Sequence, residues 1–339
     1  MITIDGSFGE GGGQILRTSL SLSAITGQPL HIENIRANRK KPGLMRQHLA
    51  CVKAVAEICH GELDGAELNS QALTLKPGMI QGGDYRFIIG SAGSTLLLAQ
   101  AILPVLLFAD RPSRVVLEGG THTMQAPIFD FFERVYLPCL HKMGLEIEVS
   151  MERAGFYPAG GGMVVLSVKP ARVWRQLSLI ERGELQEARV TALGSGLDQS
   201  ILTDELKIFQ AGLAGVLPWQ ALARDVESSG SGNVLFAELA YENLTELFSV
   251  CGRYGLSRKS VAKSAISLVK QYIGQGWVVG QHLADQLMLP LALGAGGNYL
   301  TGRPTLHAES NRQVIRRFLD VKVDFKKMSD SLCEMEVQK

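Results

Sequence analysis

The order in which strand and helix signals alternate is the feature that most limits how this chain can fold. Strands carry apolar residues at every second position, and helices carry them at i, i+3 and i+4. Read this way, the chain opens with a strand at Ile2–Asp5, a helix from about Gly12 to Thr26 and a strand at Leu30–Ile35. A helix over about Leu44–Cys59 and strands at Glu62–Leu68 and Ala72–Lys76 follow, and Pro77-Gly78 closes the unit. The β-α-β-α-β-β order then recurs: strand Tyr85–Ile89, helix Thr95–Phe108, strand Arg114–Glu118, a helix from Pro127 to Met143 irregular near Pro138, and strands Glu146–Glu152 and Met163–Val168. Lys169-Pro170 stands where Pro77 stood. A third copy opens at Leu177–Ile180 and breaks off. It resumes with a helix over His282–Gly294, a strand near Tyr299, a helix at Ser310–Leu319, and strands at Lys322–Lys326 and Leu332–Val337.

The interruption has its own pattern: a strand at Glu187–Leu193, a helix around Asp204–Val216, two or three strands up to Val250, and a helix over Ser260–Ile273. One of its loops carries the mobile-looking run Ser228-Ser229-Gly230-Ser231-Gly232. The expected fold class is therefore α+β, an α/β sandwich. Residues 1–183 and 276–339 form a large domain of three βαβαββ repeats (about 1–78, 79–170, and 171–183 with 276–339), and residues 184–275 form an inserted small α/β domain. Each repeat lays two helices on one face of a four-stranded sheet and buries them only against another repeat. The clefts between repeats are natural ligand sites.

Composition narrows the setting. Hydrophobic residues make up 46% and charged residues 20%, and the formal net charge is +1, so any nucleic-acid binding must come from a local patch rather than a global field. The five cysteines (Cys51, Cys59, Cys139, Cys251, Cys333) never form a C-x-x-C pair, which fits a reducing compartment rather than a disulfide framework. The longest apolar run, Leu96–Ala109, contains Gln100 and Pro104 and is too short to span a bilayer. The opening residues have no signal-peptide pattern, and the expected location is cytoplasmic, with no membrane partner.

Three stretches could carry chemistry. Gly9-Glu10-Gly11-Gly12-Gly13-Gln14-Ile15-Leu16-Arg17 lies between a strand and a helix, where backbone N–H groups come free to hold an anion. Glu10 there could hold a metal and Arg17 a phosphate; alone, the stretch serves equally as a tight packing turn. Arg36, Arg39, Lys40, Lys41 and Arg46 crowd the approach to the helix bearing Gln47 and His48. Cations oppose the dipole at that end of a helix, and a bound anion would resolve the conflict. His307 follows the glycines at 294, 296 and 297 and stands just before the last helix. Imidazole attacks phosphorus as the free base and leaves once protonated, which suits a two-step transfer. By spacing alone a lone histidine is more often a structural or surface one. His31, His60 and His141 sit in a strand or at helix ends, and no paired Cys/His pattern for zinc occurs. Gly90-Ser91-Ala92-Gly93-Ser94-Thr95 lacks the Gly-Lys-Ser/Thr ending of a phosphate loop, and no kinase set, nucleophile elbow or Lys-x-Asp-Gly occurs. Gly155-Phe156-Tyr157-Pro158-Ala159-Gly160-Gly161-Gly162-Met163-Val164 reads as a tight turn where repeats meet.

Taken together, these stretches resemble the RNA 3′-terminal phosphate cyclases. That family carries Gly-x-x-Pro-x-Gly-Gly-Gly-x-aliphatic, matched from Gly155 to Val164. Gly9–Arg17, Lys41-Pro42-Gly43-Leu44 with Arg46-Gln47-His48, Gly83-Asp84-Tyr85-Arg86-Phe87 with Gly90–Ser94, and His282-Leu283-Ala284-Asp285-Gln286-Leu287 match in order. The resemblance implies repeats like the C-terminal domain of a bacterial translation initiation factor and a thioredoxin-like insert. It implies ATP-dependent conversion of an RNA 3′-phosphate to a 2′,3′-cyclic phosphate. His307 would carry AMP covalently, and an RNA(3′)pp(5′)A species would follow.

By the same resemblance Glu10, Gln14, Arg17, Gln100, Pro127, His282, Asp285 and Gln286 would bind the nucleotide, with Pro127 packing on adenine. Glu10 would hold a divalent metal, Mg or Mn, and Arg36, Arg39, Gln47 and His48 would hold substrate phosphates. The implied partners are ATP and RNA 3′-phosphate ends, with no obligate protein partner and room for a homodimer. Two positions depart from the family pattern. Ala154, preceded by Arg153, stands where Arg or His is usual before the Gly-x-x-Pro motif, and His282 stands where bacterial members place a Tyr on adenine. The rival readings are a non-catalytic ribosome-assembly relative, which would lack His307, and an enolpyruvyl transferase, which would give His307 no role.

Overall fold

The computed structural model describes residues 1–339. Its first sheet holds β1 (Ile2–Asp5), β2 (Leu30–Glu33), β3 (Glu62–Asp64) and β4 (Leu73–Lys76), with α1 (Gly13–Thr26) and α2 (Arg46–Ile58) between the strands. The second holds β5 (Asp84–Ile88), β6 (Ser113–Gly119), β7 (Ile147–Arg153) and β8 (Gly162–Val168). Its helical segments are α3 (Thr95–Leu106), α4 (Phe129–Phe131), a π-helical turn (Phe132–Tyr136) and α5 (Leu137–Lys142). The π turn ends just before Pro138, which has no N–H for a regular i→i−4 bond. The irregularity expected there is thus a change of helix type.

β9 (Leu177–Leu179) precedes a stretch with its own mixed sheet: β10 (Leu185–Ser195), α6 (Gln199–Gly212), β11 (Gln220–Asp225), β12 (Gly232–Tyr241), β13 (Thr245–Cys251) and α7 (Arg258–Gln275). Then come α8 (Gln281–Leu293), β14 (Gly297–Thr301), α9 (Leu306–Phe318), β15 (Lys322–Lys327) and β16 (Cys333–Gln338), and β14 pairs in parallel with the distant β9. The strand orders are β1-β2-β4-β3, β5-β6-β8-β7 and β9-β14-β16-β15, with β11-β10-β12-β13 in the fourth sheet. All four sheets mix parallel and antiparallel neighbours, which makes the class α+β.

Two expected boundaries move for a local reason. Asp198 caps α6, accepting from the Ser200 N–H, so that helix starts at Gln199 rather than near Asp204. Thr305 caps α9 by accepting from the Ala308 N–H at 3.0 Å, so that helix starts at Leu306 rather than Ser310. An N-cap is worth about 1 kcal/mol, enough to set where a helix begins. His307 therefore sits inside the first turn of α9, not on the loop before it.

One continuous apolar core of 74 buried residues runs beneath the first three sheets. A cluster of 12 buried residues, including Phe209 and Val269, sits between the fourth sheet and α6 and α7. Within the larger core α1 packs on α9, α2 and α3, and this brings the start of the chain against its last helix. No helix is long and apolar enough to cross a membrane.

Candidate active site

The turn between β1 and α1 faces the first turn of α9. Gly9 and Gly11 have φ of +55° and +60°, which side chains resist, and they fold the turn so that the Glu10 N–H donates to Ser310 Oγ at 3.2 Å. Gly12 is the N-cap of α1 and supplies no side-chain cap, leaving the first-turn N–H groups of that helix without a side-chain partner. A Cβ on Gly13 would come within 2.6 Å of His48 Nε2 and 2.9 Å of Arg17 Nη1, so only glycine keeps this corner open. Backbone donors at a positive helix end, flanked by a guanidinium, make an anion cradle.

His307 stands beside that cradle. Its Nδ1 lies 2.6 Å from Gln14 Oε1, which can only accept, so the ring proton belongs on Nδ1 and Nε2 keeps its lone pair. Burial, followed by the charges of Arg17, Arg39 and His282, holds its pKa below the ordinary histidine value. The side chain nevertheless remains 48% exposed. At neutral pH this is a free-base imidazole open to a substrate.

Its helix is held from two sides. Thr305 Oγ1 donates to both Asp285 carboxylate oxygens, at 2.9 and 3.1 Å. Asn311 Nδ2 donates to the Asp285 carbonyl at 3.1 Å, while Thr18 Oγ1 donates to Asn311 Oδ1 at 2.9 Å. Burial pushes the Asp285 pKa up to about 7, and the Thr305 hydrogen bond opposes that rise.

Glu10 carries the negative charge of the site. Its Oε1 is ion-paired with Arg39, whose Nη2 also donates to the Glu10 carbonyl at 3.3 Å. Its Oε2 is buried without a hydrogen-bond partner, 3.7 Å from His307 Nδ1. A buried, unpaired carboxylate oxygen beside a phosphate cradle fits a divalent cation, since Mg²⁺ takes one or two carboxylates and completes its shell with water and phosphate oxygens. Arg17 is half-buried; burial lowers its pKa, and no carboxylate offsets its charge. His48 accepts the Met45 N–H on Nδ1 at 3.3 Å, leaving an Nε2–H donor toward Gly13. Burial, Arg36 and Arg17 push its pKa to about 3, so it stays a neutral donor.

The other expected residues scatter. Only Arg39 of the basic cluster reaches Glu10. Arg36 Nη1 donates to the Lys41 and Gly43 carbonyls at 2.7 and 2.8 Å, and Arg46 Nη1 donates to the Gly90 carbonyl at 2.8 Å. Gln47 Oε1 accepts the Ser94 N–H at 2.7 Å, tying α2 to the glycine-serine turn before α3. Gln100 Nε2 donates to Gln286 Oε1, and Gln286 Nε2 donates to the His282 carbonyl at 3.0 Å. His282 lies close enough to His307 to depress its pKa. Pro127 is half-buried on the loop before α4, and the π turn that follows packs on α8.

Sequence reading missed Thr305, Ser310 and Asn311. Thr305 was detectable as a capping residue, whereas Ser310 and Asn311 gave no signal.

The Gly155–Val164 hairpin is a junction. Gly160 and Gly161 have φ of +69° and +70°; a Cβ on the first would press on Ser91 and Ala92, and on the second it would meet Ser229. Ala154 is buried and bridges Ser228, and Gly232 lies against Phe156. The run expected to be mobile, Ser228–Gly232, is thus wedged against this hairpin, and the smallness of Ala154 fits that contact.

A family model described as RNA 3′-terminal phosphate cyclase matches residues 8–325. A protein named RNA 3′-terminal phosphate cyclase from Koribacter versatilis (strain Ellin345) is 45% identical over 322 residues, covering 95% of this chain and 90% of that protein. Among solved structures, the enolpyruvyl transferase NikO from Streptomyces tendae has a TM-score of 0.39 at 11% identity, covering 99% of this chain and 48% of that chain. So distant a likeness carries no argument.

Proposed function

Because this chain belongs to the RNA 3′-terminal phosphate cyclase family and is an enzyme, we propose that it cyclises RNA 3′-phosphates through adenylate carried on His307. Nε2 attacks the α-phosphorus of ATP, forming a P–N bond as pyrophosphate departs. An oxygen of the RNA 3′-phosphate then attacks the adenylate phosphorus, the P–N bond breaks, and RNA(3′)pp(5′)A forms. The neighbouring 2′-OH attacks the 3′-phosphorus, AMP leaves, and the hydroxyl proton passes to water or buffer base. The observation that carries this reading is a free-base imidazole, oriented by Gln14, next to an anion cradle with the uncompensated Arg17. Positioning and charge neutralisation are the main demands of such transfers. When bound, a divalent metal on Glu10 would neutralise triphosphate charge.

Further roles extend the proposal. Gln14, Arg17 and His48 take phosphate oxygens, and Arg39 takes the RNA 3′-phosphate once released from Glu10. The Gln100–Gln286 pair, His282 and Pro127 border the base. Asp285 acts through Thr305 by fixing the helix that bears His307. We also assign residues 1–183 and 276–339 to a body of three βαβαββ units and residues 184–275 to an insert; the shared strand order of three sheets supports this.

Two outcomes test the assignment. Only the free base reacts, so a lowered His307 pKa keeps reactive enzyme present to lower pH. Single-turnover adenylylation should be flat near neutrality and fall with a midpoint below about 6.5; a midpoint above that value contradicts the assigned environment. Arg39→Ala should weaken use of the 3′-phosphate end by about ten- to a hundredfold, the worth of a charged hydrogen bond, and should affect adenylylation less. Equal losses in the two steps would remove Arg39 from the RNA end.

A further inference from the structure

α8 has no cap of its own. Its N-cap is Gly280, which has no side chain to accept a first-turn N–H. Leu283 stands at the third helical position, where a Glu or Gln could have reached back to the N-cap N–H. That N–H finds its partner outside the helix: Gly280 donates to Glu246 Oε1 at 2.6 Å, across 34 residues of chain. Glu246 belongs to β13 in the fourth sheet and is 2% exposed. A carboxylate is stabilising at the positive end of a helix, and a buried N–H has no water to turn to once its acceptor is gone. Burial pushes the Glu246 pKa up to about 8, and the Gly280 N–H and the Arg182 charge oppose that rise. The Arg182 guanidinium is itself held: Nη2 donates to the Tyr272 carbonyl at 3.0 Å, and the group lies 3.9 Å from the centre of the Tyr272 ring.

From Gly280 the contacts continue to the helix of the nucleophile. The Gly280 carbonyl accepts the Ala284 N–H at 2.9 Å and so begins the ladder of α8. Asp285 comes next; its carboxylate holds Thr305, the N-cap of α9, and its carbonyl holds Asn311. His307 lies two residues beyond Thr305. His282, whose charge acts on His307, is the second residue of α8.

We propose that Glu246 is a positioning residue for His307: by holding the start of α8 it fixes Asp285, then Thr305, and thereby the imidazole. The proposal rests on the cyclase reading for its effect on rate. It goes beyond that reading by giving the fourth sheet a part in adenylylation.

Two variants break the contact from opposite sides. Glu246→Ala removes the acceptor. Gly280→Ala keeps a backbone that any residue adopts, with φ of −68°, but its Cβ would come within 2.9 Å of Glu246 Oε2, so the flexible carboxyl end must move. Each should slow single-turnover adenylylation at saturating ATP by about tenfold or more, because small misplacements of a reacting group lower rates steeply. The double variant should lose no more than the slower single one, since both substitutions remove the same contact. Glu246→Gln keeps an acceptor oxygen in place and should stay within about threefold of wild type, less than a lost hydrogen bond would take.

Titration of the His307 ring by NMR reads the same coupling without turnover. The ring sits among Arg17, Arg39, His282 and Glu10, and its midpoint is held low. In Glu246→Ala and Gly280→Ala the midpoint should move from the wild-type value toward about 6.5, and in Glu246→Gln it should not. Additive losses in the double variant, or a slowed variant with an unmoved midpoint, would overturn the assignment. If Glu246→Ala does not fold, Gly280→Ala carries the test with Glu246→Gln as its control. A wild-type enzyme that never self-adenylylates would strike the cyclase mechanism, and the titration would still decide the role of Glu246.

Discussion

His307→Ala is expected to abolish covalent labelling by α-labelled ATP and to lower cyclisation on the order of 10⁴-fold or more, since no neighbour can replace a nucleophile. The wild-type adduct should be acid-labile and base-stable, as a phosphorus–nitrogen bond is. The substitution should leave the fold intact. The imidazole is half-exposed, and the helix start depends on Thr305 rather than on residue 307. A folded His307→Ala protein that still took the label would eliminate this imidazole as the adenylate carrier. Gln14→Ala offers a graded comparison: it frees Nδ1 without removing the ring, so labelling should slow rather than stop.

Glu10→Gln should have the second largest effect. The change keeps shape and removes the charge from an oxygen that is buried without a partner. Loss of one preorganised group acting on the transition state lowers rates about 10²–10³-fold, and that range is expected for adenylylation here. Because the same carboxylate neutralises Arg39, the variant also frees a guanidinium beside the cradle. Metal titration separates the two consequences. If Glu10 holds the cation, the variant should need far more Mg or Mn for half-maximal adenylylation; an unchanged titration curve would take Glu10 out of metal binding.

The alternation of strand and helix signals was legible because the first three sheets each have one covered face, which imposes a period of two on strands and near 3.6 on helices. By contrast, β12 of the fourth sheet is buried on both faces and reads as a continuous apolar run. Errors gathered at ends set by single side chains, as with Asp198 and Thr305, whose caps outweigh the periodicity that follows them. Glu62–Leu68 shrank to Glu62–Asp64 because Gly65 adopts a φ of +74° and ends the strand. For the site, glycines and basic residues announced an anion but not which cations would reach it. Arg36 and Arg46 look equivalent to Arg39 in sequence, yet they brace loop carbonyls, and that depends on the path of the backbone. The hydrogen bonds from Thr305 to the Asp285 carboxylate, twenty residues apart in the chain, gave no signal in sequence. Contacts such as Thr18–Asn311 and Glu10–Ser310 span about 300 residues of chain and leave no local trace.

The pairing of β9 with β14 and the docking of α9 on α1 have a consequence for synthesis. The strands of the first two sheets, which end at Val168, all leave the ribosome before β9. The edge left at Leu177–Leu179 must then wait for more than a hundred further residues before its partner strand arrives at Gly297–Thr301. Until then α1 lacks α9, a helix it packs on, so a chain cut short before α9 leaves that face of α1 uncovered.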